Sequence, residues 1–271
     1  MAQWKYEDIN YSKINFGEVK SDKRIFLVLA ASSFLEITAP LYTRNLIEYT
    51  KDSQDVVEWL EGVWLPEEVE HGRAMTAYVN AVWPEFNWES AYRCFYAEFE
   101  LYCAADRYQP TKGLEMLARC VTEAGAATFY KALRDQATEP VLNDLLDQMQ
   151  RDEVRHYKHF LRYFHQFNEQ EENSRCGMLR TILSRALRVH DEDAFIAWKH
   201  CWREEKGGGT VSSSDYRRAV RGIRDLVCKY YPYEQAVKML VQPLSFNKNL
   251  RKIPISILSR ALRSFFAITL Y

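Results

Sequence analysis

From residue 22 to about residue 168 the apolar residues recur at three- and four-residue spacing with little interruption. That periodicity leaves few options beyond a set of long helices packed face to face. Only 10 glycines and 8 prolines serve a chain of 271 residues, which disfavours a turn-rich β architecture. The breaks fall between the periodic stretches. Ser21 and Asp22 cap a first helix that runs to near Thr50, with a kink predicted at Pro40, where the ring cannot donate to the preceding turn. A second helix follows Ser53 and stops at Trp83-Pro84. A third spans Asn87 to Tyr108, a fourth Thr111 to about Asp135, and a fifth Glu139 to about Gln166. The 17 Tyr, 14 Phe and 7 Trp suit thick packing between such helices.

The polar run from Asn168 to Ser174 reads as a linker. Beyond it, residues 175–206 and 214–243 are predicted helices separated by the loop from Gly207 to Ser214, and 250–271 is basic and amphipathic. The expected organisation is one domain over 1–271, with a bundle core at about 22–168 and a helical extension at about 174–271. Residues 171–271 hold 18 Lys and Arg against 10 Asp and Glu, while the preceding residues hold 18 against 27. A net charge of −1 therefore conceals an acidic bundle and a basic extension. The extension either folds against the bundle or meets an anionic partner. Arg217, Arg218, Arg221 and Arg224 recur at helical spacing and form the candidate strip for the second use.

No basic, then apolar, leader is visible, and the most apolar run, Ile25 to Leu35, is too short to span a bilayer. The six cysteines form no C-x-x-C pair. A cytoplasmic protein with reduced thiols and no transmembrane segment is expected. No phosphate loop, dinucleotide fingerprint or nucleic-acid reader motif is present, so nucleic acid is not an expected partner.

Two acidic-x-x-His pairs carry the chemistry: Glu68-Val-Glu-His71 and Glu153-Val-Arg-His156. Three residues apart on a helix, both side chains of a pair face the same way, one turn apart, and can reach one metal ion. Trp64, Met75 and Tyr78 share the first pair's face, and Met149, Phe160 and Tyr163 the second's. Carboxylates on such faces are costly unless something neutralises them. Two more helices each place one carboxylate in an apolar stretch, Glu36 after Phe34-Leu35 and Glu123 between Val121 and Ala127. The order Glu, Glu-x-x-His, Glu, Glu-x-x-His on four helices is the ligand inventory of ferritin-like di-iron carboxylate bundles. Oxygen-rich donors with two imidazoles suit iron, with manganese as the alternative metal. Asp152 and Glu67 each adjoin a ligand glutamate and are the candidates to orient the ligand histidines.

At these positions the chain resembles the soluble acyl-carrier-protein desaturases. Leu35-Glu-Ile-Thr-Ala-Pro-Leu-Tyr42 is similar to that family's glutamate followed by Leu-Pro-x-Tyr. Trp64-Leu-Pro-Glu-Glu-Val-Glu-His-Gly72 is similar to its Trp-x-x-Glu-Glu-Asn-Arg-His-Gly. Asp152-Glu-Val-Arg-His156 is similar to its Asp-Glu-Lys-Arg-His. The resemblance covers roughly residues 22–168. It implies an all-α, ferritin-like helical bundle with additional C-terminal helices, and two iron ions held by Glu36, Glu68, His71, Glu123, Glu153 and His156. It further implies O2 as co-substrate, an electron-donating reductase or ferredoxin, an acyl carrier protein as substrate carrier, and a homodimer.

Three departures bear on the reaction. Glu70 stands where the family has Arg before the histidine. Ala126 stands three residues after Glu123, where the family has Thr, and Thr128 lies about 140° round the helix from Glu123. The segment before Glu36 is short. Desaturation is the leading expectation, with hydroxylation or N-oxygenation of another substrate next. A ferroxidase or iron-storage role is disfavoured by the hundred residues that follow the bundle.

Overall fold

The computed structural model describes residues 4–103, 108–188, 192–244, 255–260 and 263, with backbone only at 187 and 188. The chain is an all-α helical bundle: every regular element among the described residues is helical. The α-helices are α1 (Phe16–Val19), α2 (Lys23–Ile37), α3 (Ala39–Thr50), α4 (Gln54–Trp59), α5 (Leu65–Val82), α6 (Trp88–Cys103), α7 (Lys112–Gln136), α8 (Pro140–Glu171), α9 (Arg175–Arg188), α10 (Asp193–Glu205), α11 (Ser213–Val227) and α12 (Tyr233–Val241).

The predicted breaks have local causes. Asp22 caps α2, its carboxylate accepting from the N–H groups of Arg24 (2.9 Å) and Ile25 (3.4 Å), a contact of the kind that stabilises a helix by about 1 kcal/mol. Pro40 has no N–H for the Glu36 carbonyl, four residues back. The helix breaks at Thr38, whose hydroxyl donates to the Phe34 carbonyl at 2.6 Å, and α2 and α3 meet at a 40° bend. The expected helix after Ser53 is one run containing a π turn, Leu60–Trp64, between α4 and α5. There the Leu65 N–H reaches back five residues to the Leu60 carbonyl. The wide turn ends two residues before Pro66, the residue that could not have continued the ordinary ladder.

Two compact units are present. Unit 1 comprises Met1–Arg107, Arg134–Gln148 and His190–Leu226. In it α2 packs along α5 on one side and α10 on another, and α10 also packs on α6. Its core is aromatic. Phe26 meets the rings of Trp83 (5.2 Å) and Phe86 (5.0 Å), and Phe34 meets Trp88 and Phe95, each at 5.3 Å. Two buried indole N–H groups find acceptors where they pack: Trp88 donates to Ser33 Oγ (2.8 Å) and Trp83 to the Lys20 carbonyl (3.0 Å).

Unit 2 comprises Tyr108–Leu133, Met149–Val189 and Val227–Tyr271. The Glu171 carboxylate accepts from the Lys112 and Gly113 N–H groups at 3.0 and 2.8 Å. It thereby occupies the positive end of α7. Tyr157 on α8 donates to the Met239 carbonyl on α12 (2.7 Å), and Arg185 on α9 donates to Thr122 on α7 (3.1 Å).

The C-terminal sequence differs in detail from its reading. The stretch 175–206 is two helices, α9 and α10, and 214–243 is likewise two, α11 and α12. Pro232 accounts for the second break, since the residue before a proline is pushed out of helical geometry. The linker is shorter than the polar run, because α8 continues to Glu171 and Glu172 alone turns with φ 48°. Gly207, Gly208 and Gly209 all have positive φ, as the loop between α10 and α11 requires. Of the amphipathic stretch 250–271 only 255–260 and 263 are described. The end of the predicted third helix at 104–107 and His190 also lie outside the described residues.

All six cysteines are free thiols. Among the described residues no single helix is long and apolar enough to cross a membrane.

Candidate metal centre

In unit 1, Glu36 occupies the last turn of α2, which contains no basic residue. A carboxylate there faces the negative end of the helix, so its charge favours a nearby cation. Across from it, α5 buries Glu67, Glu68, Glu70 and His71 within five positions. The helices are close at this level: a methyl group on Gly72 would fall 2.7 Å from the Ile37 Cα. Only a glycine lets α2 approach the turn that carries His71.

Glu70, the departure from the desaturase pattern, has a structural use. Its carboxylate accepts the Tyr6 N–H at 2.6 Å and faces Arg73 at 3.7 Å. The segment it holds lays Trp4 flat on His71, with ring centroids 5.9 Å apart and planes within 9°. Neither contact was legible in the sequence, because residues 4–15 have no periodicity to place them.

In unit 2, Glu123 on α7 faces α8, where Glu153 and His156 lie one turn apart. His156 Nδ1 is 3.5 Å from Glu123 Oε2 and 3.8 Å from Glu153 Oε2. Burial pushes the Glu123 carboxyl up to about 8; the neighbouring Glu153 charge adds to this and His156 partly opposes it. Asp152 is buried and pairs with Arg155 at 2.5 Å. Glu67 is buried, so it is not a solvated surface acid. Thr128 turns its hydroxyl to the Ala124 carbonyl (2.7 Å) and Tyr231 OH (3.0 Å). It does not replace the missing threonine at Ala126.

In unit 1 side-chain ligand atoms of Glu36, Glu68 and His71 lie within 4.8 Å of one another, and in unit 2 so do those of Glu123, Glu153 and His156. All six residues singled out from the sequence appear in these two groups. Each group offers two carboxylates and one imidazole. Hard oxygen donors in excess, with one nitrogen, fit a divalent cation such as Fe(II) or Mn(II) and fit a thiolate-seeking ion poorly. These buried Glu/His groups could hold metal ions.

Other sequence readings resolve outside this cluster. His200 contacts Glu98 Oε2 through Nε2 at 2.9 Å, beside the Lys199–Glu98 ion pair. Lys199–Glu98 thus folds part of the basic extension against the acidic sequence inside unit 1, and Lys23–Glu205 at 2.7 Å ties the same stretches together with the signs reversed. On α11, Arg217, Arg218 and Arg221 are exposed, whereas Arg224 is half-buried and pairs with Asp225 at 2.8 Å. The candidate strip is therefore three arginines rather than four. Searches against protein-family models and curated proteins returned no match.

Proposed function

We propose that the chain is a cytoplasmic di-iron carboxylate enzyme that uses O2 to oxidise an unactivated C–H bond. One observation carries this reading: each unit gathers two glutamates and a histidine, Glu36, Glu68 and His71 in one and Glu123, Glu153 and His156 in the other. Each group would hold a cation, and four carboxylates would offset the charge of two Fe(II) ions. When bound, the iron pair supplies O2 activation. The chain's own part is to hold six ligands rigidly, keep the chemistry away from bulk water and align the substrate.

The resemblance to acyl-carrier-protein desaturases supports an acyl chain on a carrier protein as substrate. In that reaction two hydrogens leave adjacent carbons and an alkene forms. O2 becomes two waters by taking those two hydrogens with their electrons, plus two electrons from a reductase or ferredoxin and two protons from solvent. A second reading, hydroxylation or N-oxygenation, is favoured by Ala126, which removes a hydroxyl from the side of α7 where the resembling enzymes keep one. In both readings the exposed arginines of α11 serve an acidic partner, and a homodimer is the expected assembly.

The test is metal analysis, then anaerobic Fe(II) loading and exposure to O2 with an electron donor, with and without acyl carrier substrates. Substrate-dependent O2 consumption with an alkene product supports desaturation, and a hydroxylated product supports the second reading. Iron oxidation that continues far beyond the bound pair, without substrate, would replace both with a ferroxidase.

A further inference from the structure

Residues 4–15, ahead of α1, form no long helix, yet they are fastened at several points in unit 1. Two short 3-10 turns, Tyr6–Asp8 and Tyr11–Lys13, shape the segment. The Tyr6 N–H donates to Glu70, the Tyr11 hydroxyl donates to the Ala74 carbonyl at 3.3 Å, and the Asn15 N–H donates to Glu139 Oε1 at 3.1 Å. Glu139 is itself fixed, accepting from Tyr78 OH (2.8 Å) and the Leu142 N–H (2.7 Å) at the start of α8. Ile14 is buried at the far end of the strap. A segment of a dozen residues with two buried carboxylate anchors is held in one place along α5, and its first described residue is the indole stacked on His71.

We infer that this strap is the outer wall of the metal centre and that Trp4 is a positioning residue for His71, with the Tyr6–Glu70 contact as its clamp. The inference rests on the proposed ligand role of His71. A metal-ligating imidazole must keep its ring plane fixed, and residues that orient such rings typically matter about 10–100-fold in metal affinity. Here the orienting group is an aromatic face rather than a carboxylate, and the same face excludes water from His71. Glu70 gains a reason to be buried beside a ligand: a carboxylate makes a charge-assisted bond to a backbone N–H.

The test has a metal-free arm and a metal-loaded arm, using the full chain and the variants Trp4→Ala, Trp4→Phe and Glu70→Ala. In the metal-free arm, diethylpyrocarbonate modification of His71 is followed by peptide mass spectrometry, with helicity checked by circular dichroism. Trp4→Ala and Glu70→Ala are expected to speed modification several-fold, and Trp4→Phe to leave it near the wild-type rate. In the metal-loaded arm, removal of Fe(II) by a chelator is expected to be about tenfold faster in Trp4→Ala and largely rescued in Trp4→Phe. His71 modified at the same rate in all four proteins overturns the cover. Faster modification with unchanged metal release overturns the positioning role. Changed modification in a protein that binds no iron keeps the wall and overturns the metal reading instead.

Discussion

A methyl group placed on Gly72 would sit 2.7 Å from the Cα of Ile37, so α2 and α5 meet backbone to backbone beside the residues Glu36 and His71. Side-chain adjustment cannot relieve a clash with a main chain. Gly72→Ala is expected to cost about 1–3 kcal/mol, the range for overpacking, and to weaken metal binding because Glu36 is carried away from His71. Urea denaturation of the metal-free protein measures the first effect. Gly62→Ala is the control, since nothing lies within 4 Å of a methyl group there. If both variants behave alike, close helix approach is not what Gly72 provides.

The two ligand groups make a prediction about stoichiometry. With two glutamates and a histidine gathered in each unit, iron loading should give about two ions per chain, and Glu68→Ala or Glu153→Ala should lower that number. Metal analysis after iron loading and desalting reads this directly. Full iron content in a Glu123→Ala, Glu153→Ala double variant would sink the ligand assignment.

Acidity should act on the metal-free protein in an unusual direction. The Glu123 carboxyl is pushed from 4.5 up to about 8 by burial and by Glu153. Between those values the folded chain keeps a proton that the unfolded chain has released, so this group's contribution makes stability fall as pH rises and level off above about 8. A bound cation takes the proton's place, so stabilisation by metal should grow over the same interval. Thermal unfolding at about pH 5.5 and about pH 8.5, with and without Fe(II), gives the four values needed. In Glu123→Gln the metal-free slope should shrink.

The α7 substitution predicts an effect on coupling rather than on assembly. Ala126→Thr restores a hydroxyl three residues after Glu123 and should change the ratio of hydrogen peroxide released to product formed in single turnovers. Iron content should be unchanged. If neither the ratio nor the product changes, Ala126 gives no reason to prefer hydroxylation over desaturation.

The exposed face of α11 predicts salt-sensitive association. Contacts between exposed charges are screened over about 10 Å at 0.1 M salt, and steering charges act mainly on association rate. Reversing Arg218 and Arg221 to Glu should lower affinity for an acidic carrier protein and flatten its salt dependence, leaving iron content and helicity intact. Arg224→Glu should matter less to docking, because that residue is half-buried whereas Arg218 and Arg221 are exposed. Titrations at two salt concentrations separate these outcomes.

Much of the bundle was legible because its determinants are local. The apolar period, the Asp22 cap, Pro40 four residues after Glu36 and the i, i+3 spacing of Glu68–His71 and Glu153–His156 all act within a turn or two of helix. They specify which faces are buried and which side chains share them. Gly207–Gly209 marked a loop for the same reason, through positive φ. The division of 175–206 into α9 and α10 was not legible.

What only the tertiary structure decided is which distant groups meet. The sequence presented Glu70 as an anomaly, and the fold makes it the acceptor for Tyr6. The fold likewise brings Glu98 to His200. Trp4 carried no signal at all and lies on His71. Gly72 was visible as part of a motif, but its purpose was not, since a close approach of helices has no local signature. Local periodicity by itself determined an all-α chain, and the Glu-x-x-His spacing, with the resemblance it carries, marked the six residues worth testing as ligands. Long-range packing decided which of them come within 4.8 Å of one another, because those distances depend on how whole helices approach and not on any spacing along one of them.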